Sequence, residues 1–110
     1  MKLSEIIEAC KFTAVHDEYD DHDVGDAYTS DLLSDVMAHA PDGSALITIQ
    51  AHKNTVAVAA LAGVVAIVIC NERPIPDDMI VAARDERIAL LTTGENQYTV
   101  SGRIYTLLAE

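Results

Sequence analysis

The chain has 110 residues, half of them hydrophobic, with 18 acidic against 7 basic side chains and a formal charge of −11. That length suits a single domain, 1–110, with its own core, and the hydrophobic share excludes a disordered chain. So negative a charge excludes nucleic acid or an anionic membrane as the main partner, because their phosphates repel it. With no Trp and one Phe, Phe12, the core must be aliphatic. The acid is local. Residues 1–44 hold eleven carboxylates against Lys2 and Lys11, net −9, whereas residues 45–110 are only −2.

In chain order, Ser4 is placed to cap a short helix through Cys10 that sets Ile6, Ile7 and Cys10 on one side. Lys11 to Val15 reads as a short strand, followed by an acidic loop, His16 to Asp23, and an extended piece from Val24 to Tyr28. A helix is predicted from about Ser30 to Ala40, with Leu32, Leu33, Val36, Met37 and Ala40 toward the core, and Pro41-Asp42-Gly43 turns the chain. Ala45 to Gln50 is a strong strand. The uncharged run from Val56 to Cys70 is 15 residues long, short of the ~20 that a spanning helix needs. Its composition changes at Gly63, from an Ala-rich helix (54–62) to a β-branched strand (64–70), with Gly63 suited to end the helix. Arg73-Pro74-Ile75-Pro76 makes a rigid connection, and Pro76-Asp77-Asp78 opens a helix to about Glu86, its acids at the positive end. Ile88 to Thr92 is another buried strand. The last helix starts near Glu95 and repeats Val100, Ile104, Leu107 and Leu108 along one face.

Strands alternating with helices predict an α/β fold: a small layered domain whose largely parallel sheet is covered by helices. Ligands of such sheets sit at the carboxyl ends of the strands. Here those ends are polar: Gln50-Ala51-His52-Lys53-Asn54, Asn71-Glu72-Arg73 and Thr92-Thr93-Gly94. Cys10 and Cys70 have no metal-ligand spacing and lie among apolar neighbours, as small core residues do. Nothing at the start resembles a secretion signal, so the expected compartment is cytoplasmic, where thiols stay reduced.

Three groups of residues could carry chemistry. The acidic loop mixes His16 and His22 with five carboxylates that could ligate a divalent metal, but it lacks the glycine and ligand spacing of a calcium loop, and a solvated loop explains it more simply. Asp31, Asp35 and His39, spaced i, i+4, i+8, share one helix face that could bind a metal or shuttle a proton; a solvated polar face gives the same spacing. The Gln50–Asn54 loop offers free N–H groups at a helix start, with His52 and Lys53 adding positive character. Ordinary capping is its alternative. No Walker motif, GxGxxG, GxSxG or evident base–nucleophile pair is present.

The string Tyr28-Thr29-Ser30-Asp31-Leu32-Leu33-Ser34-Asp35-Val36-Met37, with Leu46-Ile47-Thr48-Ile49-Gln50 and His52-Lys53-Asn54 after it, resembles the DRTGG domain, most of all its stand-alone members. The resemblance runs from Leu3-Ser4-Glu5-Ile6-Ile7 to Gly102-Arg103-Ile104-Tyr105, and the Tyr-x-Ser-Asp-Leu-Leu-Ser-Asp part is its most specific. It implies a fold similar to the N-terminal domain of HPr kinase/phosphorylase and of some cell-wall ligases. Relatives lie beside CBS pairs, in regulatory parts of some phosphotransacetylases, or near hydrogenase and histidine-kinase-like systems. Kinase activity is not implied, because it belongs to a separate P-loop domain. Where close relatives carry Thr-Gly-Gly before the Tyr, this chain has Gly25-Asp26-Ala27, and Asp26 would set a negative charge beside any anion there.

The sequence is therefore read as a non-catalytic regulatory or ligand-sensing module, homodimeric, with no cofactor named. It would bind a small, possibly phosphorylated, metabolite or a partner protein through Ser30, Asp31, Gln50, His52 and Asn54. The alternative is a small metal-dependent enzyme using Asp31, Asp35 and His39 or the acidic loop.

Overall fold

The computed structural model describes residues 1–110. Five strands and five helices follow in the order α1 (Leu3–Cys10), β1 (Thr13–Ala14), β2 (Ala27–Thr29), α2 (Leu33–His39), β3 (Ala45–Thr48), α3 (Lys53–Ala62), β4 (Ala66–Ile69), α4 (Asp77–Asp85), β5 (Ala89–Thr92) and α5 (Gln97–Leu108). They form one sheet of order β1-β5-β4-β3-β2, parallel throughout except for β1, which runs antiparallel on β5. The expected α/β class and largely parallel sheet are what the chain adopts.

The strands β3, β4 and β5 are buried on both faces, which is why they read as unbroken apolar runs, whereas the outer strands β1 and β2 are exposed or half-buried. Side chains alternate between the two faces with period two. Ala45, Ile47, Ala66, Val68, Ala89 and Leu91 meet Leu3, Ile6, Val100 and Ile104 of α1 and α5. Leu46, Ile67, Ile69 and Leu90 meet Val36, Val56, Ala59, Met79 and Ala83 of α2, α3 and α4. Ala27, Ala45, Ala66 and Ala89 stand side by side across four strands, leaving room for the larger helical side chains of the first face. Gly63 ends α3 at φ 77°, as expected for a left-handed C-terminal residue.

Several local expectations are corrected. Ser4 does not cap α1: Lys2 is the N-cap, and Ser4, already helical, turns its Oγ to Asp21 Oδ2 at 2.7 Å while its N–H bonds Asp21 Oδ1 at 2.8 Å. The 11–15 strand shrinks to two residues at the sheet edge. Helix α2 begins at Leu33 instead of Ser30, so of its expected core face Leu32 is 65% and Met37 42% exposed, with Val36 fully buried.

The acidic loop is a brace. Asp20 pairs with Arg87 at 2.9 Å, Glu18 with Arg84 at 3.7 Å and Asp23 with Lys2 at 3.7 Å, so the loop ties α1 to the far end of α4. His16 is buried; its Nε2–H donates to the Ile88 carbonyl at 2.8 Å and its Nδ1 accepts the Glu18 N–H at 3.0 Å, which fixes one tautomer. The Val56–Cys70 run resolves into helix, turn and strand, and no helix is long and apolar enough to cross a membrane.

Candidate functional site

All four parallel strands end on the same side of the molecule, where the loops 30–32, 49–52, 70–76 and 93–96 emerge. The shortening of α2 matters here. Asp31 is left in the β2–α2 loop, where one carboxylate oxygen accepts three hydrogen bonds of 2.9 Å: from Thr48 Oγ1, the Ile49 N–H and Gln97 Nε2. Its own carbonyl accepts Gln50 Nε2 at 2.9 Å, and the Gln50 carbonyl in turn accepts Thr55 Oγ1 at 2.8 Å. Asp31 and Gln50 are thus brought together, joined to each other and to the first turns of α3 and α5.

The i, i+4, i+8 row of Asp31, Asp35 and His39 does not form, because Asp31 precedes the helix that carries the other two. Asp35 instead accepts the Tyr28 hydroxyl at 2.8 Å. That bond first, and the Ser30 hydroxyl second, hold the Asp35 carboxyl below the usual carboxylate range, and the same bond raises the Tyr28 phenol. Ser30 accepts the Leu32 N–H at 3.2 Å and so shapes the loop. No three His, Cys, Asp or Glu side chains come together as a metal-holding group, either on α2 or in the acidic loop.

His52 and Asn54 lie apart from the Asp31 hub, with Lys53, on an open polar depression of about 320 Å³ that Pro76 and Asp78 close from the start of α4. Neither helix start there has a side-chain cap: His52 is the N-cap of α3 and Pro76 that of α4. The N–H groups of Lys53 and Asn54, and of Asp77 and Asp78, have no intramolecular acceptor. Lys53, exposed and in no ion pair, adds positive charge. The five predicted residues are therefore split: Ser30, Asp31 and Gln50 are committed to internal bonds, while His52 and Asn54 are free to meet a ligand.

The Gly25-Asp26-Ala27 segment runs into β2 with no residue at positive φ, so the missing glycines cost it no turn. It borders a cleft of about 410 Å³ between β2 and α5, lined on the helix side by Ser101, Ile104, Tyr105 and Leu108. Cys10 and Cys70 are buried free thiols. Burial raises both, Cys70 to about 11 with a smaller push from Asp31.

Thr48, Thr55 and Gln97 complete the hub and carry no sequence signature, Gln97 standing 66 residues from its partner. A parallel sheet predicts that polar residues gather at its carboxyl end, but not which of them pair.

No family model matches the chain, and no curated protein does. Among solved structures, the chain is similar to the CBS and DRTGG domains of the regulatory region of Clostridium perfringens pyrophosphatase, a crystal structure in complex with the activator diadenosine tetraphosphate. The TM-score is 0.73 at 14% identity, over 93% of this chain and 45% of that one, so the chain spans less than half of the structure it matches. At that identity the likeness is one of fold, and the fold is DRTGG-like.

Proposed function

We propose that this chain is a non-catalytic regulatory module that senses a small metabolite at the carboxyl end of its sheet. The observation that carries the reading is the hydrogen-bonded relay from Thr55 through Gln50 and Asp31 to Gln97. It joins the helix that opens the His52–Asn54 depression to α5 on the opposite face of the sheet. A ligand that orders the start of α3 would therefore bear on α5, whose Tyr98 and Tyr105 are 88% and 76% exposed. Likeness to a regulatory region that binds a nucleotide activator supports the same reading. The uncapped start of α3 and Lys53 favour an anionic, for example phosphorylated, ligand, with Asp78 at the start of α4 the opposing charge.

In this proposal Ser30, Asp31 and Gln50 position the loops, and His52 and Asn54 touch the ligand. The chain acts in the cytoplasm as a homodimer, since pairing adds buried surface to a small domain. A protein partner from a hydrogenase or histidine-kinase-like system rests on the family resemblance alone.

Thermal shift against nucleotides and phosphorylated metabolites tests the module, with hydrogen exchange of α5 as the second readout. Stabilisation that is lost in His52→Ala/Asn54→Ala, with slowed exchange in α5, is expected. No stabilisation by any compound, together with no partner in a pull-down, refutes the reading. Light scattering that gives a monomer at micromolar concentration refutes the dimer.

A further inference from the structure

The strand order singles out a second place at the same end of the sheet. Helices α2, α3 and α4 pack on one face, and α5 packs on the other. The chain therefore leaves β4 toward one face and leaves its neighbour β5 toward the opposite one. Adjacent parallel strands whose connections diverge in this way leave a crevice outside their carboxyl ends, the position at which open α/β sheets take ligands.

At that divergence lies a depression of about 290 Å³, lined only by polar residues and glycine, among them Lys11, Arg73, Thr93 and Gly94. Past Lys11, Thr93 and Gly94 it adjoins another of about 420 Å³ that reaches Arg103. Three of the chain's seven cations thus surround Thr93 and Gly94, against the two carboxylates of Glu72 and Glu95. In so acidic a chain, cations left without an acid are informative. Lys2, Arg84, Arg87 and Arg103 are all in ion pairs, Arg103 with Glu95 at 3.4 Å. Lys11 and Arg73 are in none, although acids outnumber bases throughout the molecule.

The backbone is also held in an uncommon shape there. Asn71 and Glu72 are consecutive left-handed residues at φ 63° and 53°, and Lys11 is a third at φ 56°. Non-glycine residues adopt this conformation at a cost and persist in it where surrounding contacts impose it. Two bonds do so here, Asn71 N–H to the Glu95 carbonyl and Glu72 N–H to the Thr93 carbonyl, both 2.9 Å, which lash the β4–α4 loop to the β5–α5 loop. The Arg73 and Gly94 N–H groups are left without intramolecular acceptors, and Thr93 Oγ1, which accepts the Glu95 N–H at 3.2 Å, keeps its own proton to donate. An ammonium, a guanidinium, a hydroxyl and two main-chain N–H groups are the donor set that a phosphoryl group takes.

We propose that this crevice is a second ligand site, distinct from the His52–Asn54 depression, and that it binds the phosphoryl groups of a small anion. Inorganic pyrophosphate is the probe, titrated into the ¹⁵N-labelled full chain at constant ionic strength. Saturable shifts are expected at the Gly94, Arg73 and Lys11 amides, with affinity weakened about tenfold in Arg73→Gln and further in Lys11→Gln/Arg73→Gln, whose folding the same spectra check; tenfold is the loss of one charge-assisted contact of about 1.4 kcal/mol. Three results overturn the proposal. One is no saturable shift at Gly94 up to about 10 mM, where binding is weaker than about 3 kcal/mol. Another is a shift confined to residues 52–54, which would support the first site and refute this one. The third is citrate binding as tightly as pyrophosphate, which refutes the phosphoryl preference.

Discussion

Replacing Asp31 by Ala removes the acceptor of three hydrogen bonds at once and leaves the Ile49 N–H, the Thr48 hydroxyl and the Gln97 amide to find other partners. Bonds to a charged acceptor contribute about 1.5–3 kcal/mol each, but Asp31 is half-buried and both side-chain donors can turn toward water, so the loss is about 3 kcal/mol. For a chain of 110 residues the unfolding entropy is ~0.23 kcal/mol/K, so Tm falls by about 13 °C. Asp31→Asn keeps an acceptor oxygen and loses only the charge, at about 1 kcal/mol. Urea and thermal unfolding followed by circular dichroism measure both, and a double-mutant cycle with Gln97→Ala isolates the bond to α5. The expected coupling is about 1 kcal/mol, since the two residues touch. A Tm loss below about 4 °C for Asp31→Ala, equivalent to about 1 kcal/mol, would refute the hub as a structural lock, and zero coupling would remove the link on which the sensing proposal depends.

Gly63→Ala forces a side chain into the left-handed region and pushes the new Cβ against the Asp42 carboxylate, so a loss of about 1–2 kcal/mol is expected in the same urea assay; the double variant with Asp42→Ala should recover part of it. Asp20, Asp21 and Asp35 are held below their ordinary values by Arg87, Ser4 and Tyr28 respectively. Carboxyls depressed in the folded chain contribute stability above their unfolded value and lose it as pH falls through the folded one. Stability should therefore be flat near neutrality and decline below about pH 4, with a shallower decline in Asp21→Asn. Because burial raises Cys10 and pushes Cys70 up to about 11, neither should react with a thiol reagent at pH 8 in the folded chain, and both should react in urea; rapid labelling of the native protein would contradict their burial.

Much of this architecture is written locally. Strands β3, β4 and β5 show as unbroken apolar runs because a parallel strand covered on both faces has no polar side. The change from alanines to β-branched residues at Gly63 marks a helix end and a strand start within one uncharged stretch. Ser30-Asp31 misleads because Ser and Asp are what a helix start wants, and only the donors of Thr48, Ile49 and Gln97 draw Asp31 out of the helix. Ser4 misleads in the same way, taken by Asp21 from 17 residues away. The acidity that singles out the first 44 residues becomes a set of braces to α1 and α4 once Arg84, Arg87, Lys2 and Ser4 are brought alongside.

By itself, the sequence determined the fold class, the aliphatic core and the end of the sheet at which polar loops collect, because burial and backbone preference act over a few residues. The tertiary structure alone decided which polar groups are spent on one another and which stay free. Asp31 and Gln50 proved to be bonded within the chain, and His52, Asn54, Lys11 and Arg73 open. Hydrogen-bond partners tens of residues apart leave no periodic trace in the chain, and their pairing exists only once the sheet has set its strands side by side.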